Sequence, residues 1–213
     1  RRLMMKPWMG HEWGAKKVAK LLEWCAELDI NEVTLYAFSL DNFNRPKEEF
    51  DYLMKRFRES FEKVKNDPRL KEKGIRVRFL GRIELFPKDV QEVMRQLMEA
   101  TANNSPYTVN FCMAYGGRQE IVDAARKMIK DLEAGKISSA DVDESTFKNY
   151  LYTADEPELV IRTGGEKRTS NFLIWQSNYS EWFFMEKMWP EFEKEDLVQV
   201  IEDYKQRERR FGK

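Results

Sequence analysis

The residues most suited to binding a ligand or taking part in a reaction lie in one segment, Leu159–Leu173, which reads LVIRTGGEKRTSNFL. An apolar run typical of a buried strand ends at Arg162 and is followed by a turn with two glycines. In α/β proteins the loop after a strand often binds ligands, because it gathers backbone amides and side chains beyond the sheet. The guanidinium groups of Arg162 and Arg168 suit phosphate oxygens, and Ser170 adds a hydroxyl. The segment predicts a diphosphate site; the alternative is a charged surface loop.

A carboxylate follows this segment at Glu181. Diphosphates are usually bound together with Mg²⁺, which prefers carboxylate and phosphate oxygens as ligands. Glu181 is therefore a candidate metal ligand. The alternative is a surface glutamate at the entry to a strand.

A second candidate loop, Ser39–Pro46, lies between a predicted strand and a predicted helix. The side chains of Ser39, Asn42 and Arg45 are suitable hydrogen-bond donors to phosphate oxygens. The N-terminus of the following helix would add amide donors and a favourable dipole. The alternative is a polar turn that caps the helix.

Composition excludes several classes of protein. Lysine plus arginine and aspartate plus glutamate both number 37, and a net charge of +0 argues against a dedicated nucleic-acid binder. No apolar run approaches the roughly 18 residues that a transmembrane helix requires. Nothing at the N-terminus resembles a secretory signal. Cys25 and Cys112 lie in apolar stretches, so we expect reduced core cysteines in a cytoplasmic protein.

Helical and strand patterns alternate along the chain. Strands separated by helices indicate crossover connections and a mostly parallel sheet. We therefore expect one α/β domain over residues 1–213, with a central sheet flanked by helices on both faces. Predicted strands span residues 32–38, 75–80, 107–113, 159–163 and 181–185. Predicted helices span residues 12–29, 47–73 with a break at 66–68, 87–102, 117–134, a short segment from 143, and 193–209.

Five motifs resemble the cis-prenyltransferases, the undecaprenyl diphosphate synthase family, in order and spacing. They are Gly10-His11, Tyr36–Pro46, Tyr115–Arg118, Arg162–Gln176 and Arg207–Gly212. The resemblance implies Mg²⁺-dependent cis-prenyl chain elongation, in which isopentenyl diphosphate condenses with an allylic diphosphate to give a polyprenyl diphosphate. It also implies an apolar channel for the growing product, and the candidate lining residues are Phe50, Leu53, Met54, Phe57, Met94, Met98 and Tyr107.

The resemblance also implies roles for single residues. Asn42 matches the family residue assigned to proton removal, and Glu181 matches the magnesium ligand. The positions that match substrate-binding residues are His11, Ser39, Leu40, Asp41, Phe43, Arg45, Arg162, Arg168, Thr169, Ser170 and Arg210.

The sequence departs from the family pattern at four positions. The family has glutamate at the position of Asp41 and usually tryptophan at that of Phe43. It has an arginine four residues before His11, where this chain has Pro7. Lys167 replaces a residue that is often histidine in bacterial members. The family also has an upstream Met-Asp-Gly-Asn motif, and we expect this sequence to begin after that motif and its N-terminal strand.

The resemblance extends to assembly. In dimeric relatives the C-terminal tail reaches the active site of the partner subunit, so Arg207–Gly212, including Arg210, predicts a homodimer with shared sites. We expect a cytoplasmic enzyme, with peripheral membrane association through its lipid product as a further expectation. The alternative is a non-catalytic subunit of a heteromeric prenyltransferase, although such subunits typically lose the arginine and glycine signature that this chain keeps.

Overall fold

The structure, a computed structural model, describes the backbone of residues 10–207 and the side chains of residues 17–207. The helices are α1 (Gly10–Glu27), α2 (Lys47–Lys65), α3 (Arg69–Glu72), α4 (Lys88–Thr101), α5 (Gly117–Glu133), α6 (Glu144–Lys148) and α7 (Lys194–Gln206). The strands are β1 (Glu32–Ser39), β2 (Ile75–Leu80), β3 (Tyr107–Tyr115), β4 (Leu159–Arg162) and β5 (Glu181–Phe184).

The chain divides into two compact units. The larger unit comprises Cys25–Ala154 together with Asn171–Leu173. The smaller unit comprises the described parts of Arg1–Trp24, Asp155–Ser170 and Ile174–Lys213.

The sheet of the larger unit contains three parallel strands in the order β1-β3-β2. Ser39 at the end of β1 lies opposite Tyr115 at the end of β3, and Leu80 at the end of β2 lies opposite Cys112. The carboxyl ends of all three strands therefore lie along one edge of the sheet.

Helices α2 and α4 supply much of the core of the larger unit. The α4 positions Val90, Val93, Met94 and Leu97 follow helical spacing, and all four side chains are buried. Rings from the sheet and from α2 pack against the same core, as in the contact between Phe38 and Phe57 at 5.7 Å. The residues expected to line a product channel are found in or against this core, except Tyr107: Phe50, Leu53, Met54, Phe57, Met94 and Met98.

In the smaller unit β4 and β5 form a parallel pair. The buried ammonium group of Lys17 donates a hydrogen bond to Glu193 Oε1 over 2.6 Å. The ring of Trp24 lies 6.5 Å from that of Phe192. These contacts connect α1 with the start of α7.

The predicted α/β class with parallel strands is confirmed. The predicted break at residues 66–68 separates α2 from α3, and Asp143 caps α6 by accepting a hydrogen bond from the backbone N–H of Thr146 over 2.7 Å. Four strand ends were misplaced: β1 continues to Ser39 and β3 to Tyr115, whereas β4 ends at Arg162 and β5 at Phe184, each one residue earlier than predicted. The described helices include none that is both long and apolar enough to cross a membrane.

Candidate functional site

The edge formed by the carboxyl ends of the three strands carries the first group of candidate residues. The loop after β1 is the 3₁₀ helix Leu40–Asn44, the loop after β2 begins at Gly81-Arg82, and the loop after β3 leads directly into α5. In parallel α/β sheets this is the edge at which ligands bind.

Asn42 holds the loop after β1 in shape. Its side-chain Oδ1 accepts a hydrogen bond from the backbone N–H of Ser39 over 2.9 Å, and its backbone carbonyl accepts one from the N–H of Arg45 over 3.2 Å. The Arg45 guanidinium forms an ion pair with Glu49 one helical turn later. The side-chain nitrogen of Asn42, the donor end of the amide, is the group that can donate to a phosphate oxygen.

Leu40 and Phe43 anchor this loop in the core. Both side chains pack against the buried core cluster, and the Phe43 ring lies 5.2 Å from Phe38 and 5.5 Å from Phe86. Asp41 between them is exposed. The two apolar side chains fix the position of the loop, which leaves the polar groups of the loop to meet a ligand.

Asn171, in the motif Arg162–Gln176, is hydrogen-bonded to the start of α5. Its backbone carbonyl accepts a hydrogen bond from the N–H of Gly117 over 2.7 Å, and its Oδ1 accepts one from the N–H of Arg118 over 2.8 Å. Its side-chain nitrogen donates to Gln119 Oε1 over 3.1 Å. These bonds satisfy helix-terminal amides that have no partner within the helix.

Phe172, in the motif Arg162–Gln176, packs against a ring of β1. Its ring stacks on that of Tyr36 at 4.9 Å, and the Tyr36 hydroxyl donates to the carbonyl of Tyr115 over 3.3 Å. Burial raises the pKa of Tyr36 to about 12, with smaller contributions from Cys112 and Asp41. Tyr36 was not among the predicted site residues, because an aromatic residue in a strand is usually a core residue.

Arg82 follows β2 and was also missed. Its Nε and Nη2 donate to the two carboxylate oxygens of Asp123 over 2.8 and 2.9 Å, and the Tyr152 hydroxyl donates to the same carboxylate over 2.6 Å. The Arg82 guanidinium is the main cause that lowers the pKa of the Asp123 carboxyl. The rule that loops after parallel strands bind ligands, used above for the loops after residues 39 and 162, would also have identified Arg82.

Glu120 carries a carboxylate that is 1% exposed. It accepts hydrogen bonds from the hydroxyl of Tyr115 and from the backbone N–H of Tyr152, the second over 2.8 Å. Burial, reinforced by the charge of Glu120, raises the pKa of the Tyr115 hydroxyl. This network fixes the strand-to-helix turn to which Asn171 is bound.

In the smaller unit Arg162 organises the turn after β4. Its Nη1 donates to the backbone carbonyl of Arg168 and, over 2.7 Å, to the hydroxyl of Ser170. Gly164 and Gly165 have φ values of 96° and 76°, a conformation that glycine adopts without steric cost. The turn therefore folds back so that residues 162, 168 and 170 converge.

Arg168 extends from this turn into solvent. Its side chain is 64% exposed and forms an ion pair with Glu166 over 2.7 Å. Thr169 and Lys167 are exposed beside it. Segment 162–170 holds three cations and one carboxylate, a net charge of +2, so its charge favours an anionic ligand.

Within the smaller unit, Glu181 lies away from the turn in which residues 162, 168 and 170 converge. It pairs with Leu159 at the start of the strand pair, whereas Arg162 pairs with Phe184 at the other end. Three residues of strand separate these positions by about 10 Å. The Glu181 carboxylate is engaged in an ion pair with Arg207.

The carboxylate of Glu181 is a suitable group to act as the single protein ligand of Mg²⁺. Within the described part of the chain, no three His, Cys, Asp or Glu side chains form a group able to hold a metal ion. Mg²⁺ commonly takes one or two carboxylates and completes its shell with water and substrate phosphates. Glu181 can supply one such carboxylate, which pairs with Arg207 in this structure.

Two predicted substrate contacts lie partly or wholly outside the described residues. The backbone of His11 belongs to α1, but its side chain is outside the described set. Arg210, in the C-terminal tail, lies outside it altogether, as does the departure at Pro7.

Residues 1–212 match the family model described as putative undecaprenyl diphosphate synthase. The chain is 46% identical over 215 residues to a tritrans,polycis-undecaprenyl-diphosphate synthase (geranylgeranyl-diphosphate specific) of Thermococcus kodakarensis, covering 100% of this chain and 81% of that protein.

Two solved structures share the fold. A lavandulyl diphosphate synthase from Lavandula x intermedia, in complex with dimethylallyl diphosphate, superposes with a TM-score of 0.92 at 31% identity, covering 98% of this chain and 90% of that one. A probable undecaprenyl diphosphate synthase from Campylobacter jejuni gives a TM-score of 0.84 at 31% identity, with 95% and 93% covered.

Proposed function

Because the chain belongs to the undecaprenyl diphosphate synthase family, whose members elongate cis-prenyl chains, we propose that it condenses isopentenyl diphosphate with an allylic diphosphate in a Mg²⁺-dependent reaction. The observation that carries the proposal is the turn after β4, in which Arg162 gathers the backbone of Arg168 and the hydroxyl of Ser170. A strand-end turn with a net charge of +2 is suited to a diphosphate.

In this proposal the turn after β4 binds isopentenyl diphosphate. The Arg168 guanidinium exchanges Glu166 for phosphate oxygens, which it can contact through two parallel N–H groups. The Ser170 hydroxyl and the Thr169 side chain add polar contacts. Arg162 acts chiefly by holding the turn in the conformation that presents these groups.

The loop after β1 binds the allylic diphosphate. Ser39 and Arg45 supply donors, and the N-terminus of α2 adds a favourable dipole. Leu40 and Phe43 act through the core packing that fixes the loop. His11 is assigned to the same substrate by its place in the family pattern.

In the reaction the C–O bond of the allylic diphosphate breaks and diphosphate leaves with the bonding electrons. The allylic carbon bonds to the terminal alkene carbon of isopentenyl diphosphate, and a proton is then lost to form the new double bond. The cationic and N–H donors stabilise the leaving diphosphate. An amide is a poor base, so Asn42 orients a phosphate oxygen that accepts the proton.

Glu181 would hold Mg²⁺, and the bound ion would neutralise negative charge on the leaving diphosphate. For this chain we propose geranylgeranyl diphosphate as the primer, because the relative from Thermococcus kodakarensis is described as specific for it. The enzyme is proposed to be a homodimer whose Arg210 tails complete the partner sites.

Arg168→Ala tests the proposed substrate assignment. Loss of a charge-assisted contact to phosphate should cost about 1.5–3 kcal/mol, or about 10- to 150-fold in Kd for isopentenyl diphosphate. The Arg168 side chain is exposed, so thermal stability should not change. Parent-like affinity and turnover in this variant would refute the assigned site.

A further inference from the structure

The turn after β4 is hydrogen-bonded to the loop that follows β5. The backbone N–H of Gly164 donates to the carbonyl of Lys187 over 2.8 Å, and that of Gly165 donates to the carbonyl of Met185 over 2.9 Å. The N–H of Met185 donates in the opposite direction, to the carbonyl of Arg162 over 2.8 Å. The loop after β5 therefore holds the backbone of the turn, in addition to the contacts made by the Arg162 side chain.

The two glycines of the turn serve this attachment. Turns with free backbone N–H groups can bind anions through those groups. Here the N–H groups of Gly164 and Gly165 already have carbonyl partners in the loop after β5. A Cβ at Gly165 would also lie 2.8 Å from Glu186 Oε2, so the turn and the loop are in close contact. The proposed contacts to a diphosphate therefore come from side chains beyond the glycines, those of Arg168 and Ser170.

An ion pair connects the loop after β5 to helix α7. The Lys187 ammonium donates to Asp196 Oδ1 over 2.7 Å and to Oδ2 over 2.9 Å. Asp196 lies in the first turn of α7, where its Oδ2 also accepts a hydrogen bond from the backbone N–H of Glu193 over 2.9 Å. The Asp196 side chain is 14% exposed and that of Lys187 is 52% exposed. The start of α7 thus fixes the carboxylate, and the carboxylate fixes the position of Lys187.

Lys187 takes part in both sets of contacts, through its carbonyl to the turn and through its ammonium to α7. The buried residues of α7 are Leu197 and Val200, so the packing of the helix does not depend on this ion pair. A partly exposed ion pair contributes little to the stability of a fold. Loss of the pair should therefore change the position of the turn more than the stability of the protein.

We propose that Lys187 and Asp196 are positioning residues for the diphosphate site. Their ion pair fixes the loop after β5, and this loop fixes the turn that presents Arg168 and Ser170. Neither residue of the pair contacts the substrate. This assignment rests on the proposed function, in which isopentenyl diphosphate binds at the turn after β4. Loss of the pair should weaken the binding of isopentenyl diphosphate selectively, because the primer diphosphate is assigned to the loop after β1.

Lys187→Met tests the positioning role, because methionine keeps an unbranched side chain but cannot pair with Asp196. The Kd for isopentenyl diphosphate, measured by isothermal titration with Mg²⁺ and without primer, should rise about two- to fivefold. Lys187→Arg keeps the charge and should bind like the parent. In both variants the Kd for geranylgeranyl diphosphate and the melting temperature should remain those of the parent. An unchanged Kd for isopentenyl diphosphate in Lys187→Met, or an equal loss of affinity for both diphosphates, would overturn the proposal.

A double-mutant cycle tests whether the two residues act as a pair. Asp196→Asn removes the charge but keeps a side-chain oxygen that can accept from the N–H of Glu193. It should weaken the binding of isopentenyl diphosphate as much as Lys187→Met does. The double variant Lys187→Met/Asp196→Asn should bind no more weakly than either single variant. Losses that multiply in the double variant would show that the residues act separately and would refute the pairing.

Lys136→Met is the matched control. Lys136 is an exposed lysine that donates to Asp131 over 2.8 Å, but this pair belongs to the larger unit and lies outside the proposed sites. The control should bind isopentenyl diphosphate like the parent. Parent-like affinity in Arg168→Ala would overturn the proposed site and the positioning role together. Weakened binding in Arg168→Ala with unchanged binding in Lys187→Met would overturn the positioning role alone.

Discussion

The substitution Arg162→Lys distinguishes the effect of positive charge in the turn after β4 from the effect of the conformation of that turn. Lysine keeps the positive charge but lacks the planar guanidinium, which here donates from one nitrogen to the Arg168 carbonyl and to Ser170 Oγ. Lysine places its nitrogen one bond nearer the backbone than Nη1 of arginine, so its ammonium should not reach both acceptors from the same backbone position. The turn should therefore lose its converged conformation while its net charge stays the same.

The size of the effect follows from those bonds. A hydrogen bond involving a charged group contributes about 1.5–3 kcal/mol, and exposure places these two near the lower limit. Losing one or both should cost about 1.5–3 kcal/mol, which raises the Kd for isopentenyl diphosphate about 10- to 150-fold. The melting temperature should remain close to that of the parent, because the turn is exposed.

Isothermal titration of isopentenyl diphosphate into parent and variant measures this loss directly. The matched control is Arg95→Lys on α4, because the Arg95 guanidinium also forms two carboxylate contacts, with Glu92 and Glu99, but lies outside the proposed sites. The control should bind like the parent. A Kd for Arg162→Lys within about twofold of the parent would refute the assigned role of the guanidinium.

Three further predictions test the packing, the electrostatics and the metal ligand. Gly74→Ala should lower the free energy of unfolding by at least about 3 kcal/mol, because its Cβ would lie 1.8 Å from a backbone carbonyl oxygen at a φ of 66°. Gly135→Ala, with a φ of 69° and no atom within 4 Å, should cost only about 1 kcal/mol by chemical denaturation. Arg82→Met should destabilise the protein at pH 7, and the loss should shrink below about pH 4. The reason is that Arg82 lowers the pKa of Asp123 in the folded protein. This lowering contributes stability at pH values above the pKa of Asp123 in the unfolded chain, and the contribution disappears as pH falls through the pKa in the folded protein. Glu181→Gln should shift the magnesium titration of activity to higher concentration, because an amide oxygen is a weaker ligand than a carboxylate; overlapping titrations would exclude Glu181 as a ligand.

The helices and strands were predictable because their signals are local. The spacing of Val90, Val93, Met94 and Leu97 defines α4 without tertiary information. The grouping of the strands into a three-stranded and a two-stranded sheet was not predictable, since the partners of β3 lie far away in the sequence.

The site was predictable in composition but not in contacts. The sequence identified Arg162 and Ser170, but it could not show that they bind each other, because that contact depends on positive φ values at residues 164, 165 and 170. It also placed Glu181 with these residues, whereas strand register separates them by about 10 Å within the smaller unit. Register is set by pairing and cannot be read from residue types.

Incorporation of labelled isopentenyl diphosphate by the purified full-length protein, with geranylgeranyl diphosphate and Mg²⁺, tests the proposed prenyl transfer most directly. The products are separated by chain length after removal of the diphosphate. We expect a ladder of labelled prenyl chains longer than the primer, which requires both primer and Mg²⁺ and is strongly reduced in Arg168→Ala. Absence of primer-dependent incorporation by folded protein would contradict the proposed prenyl transfer.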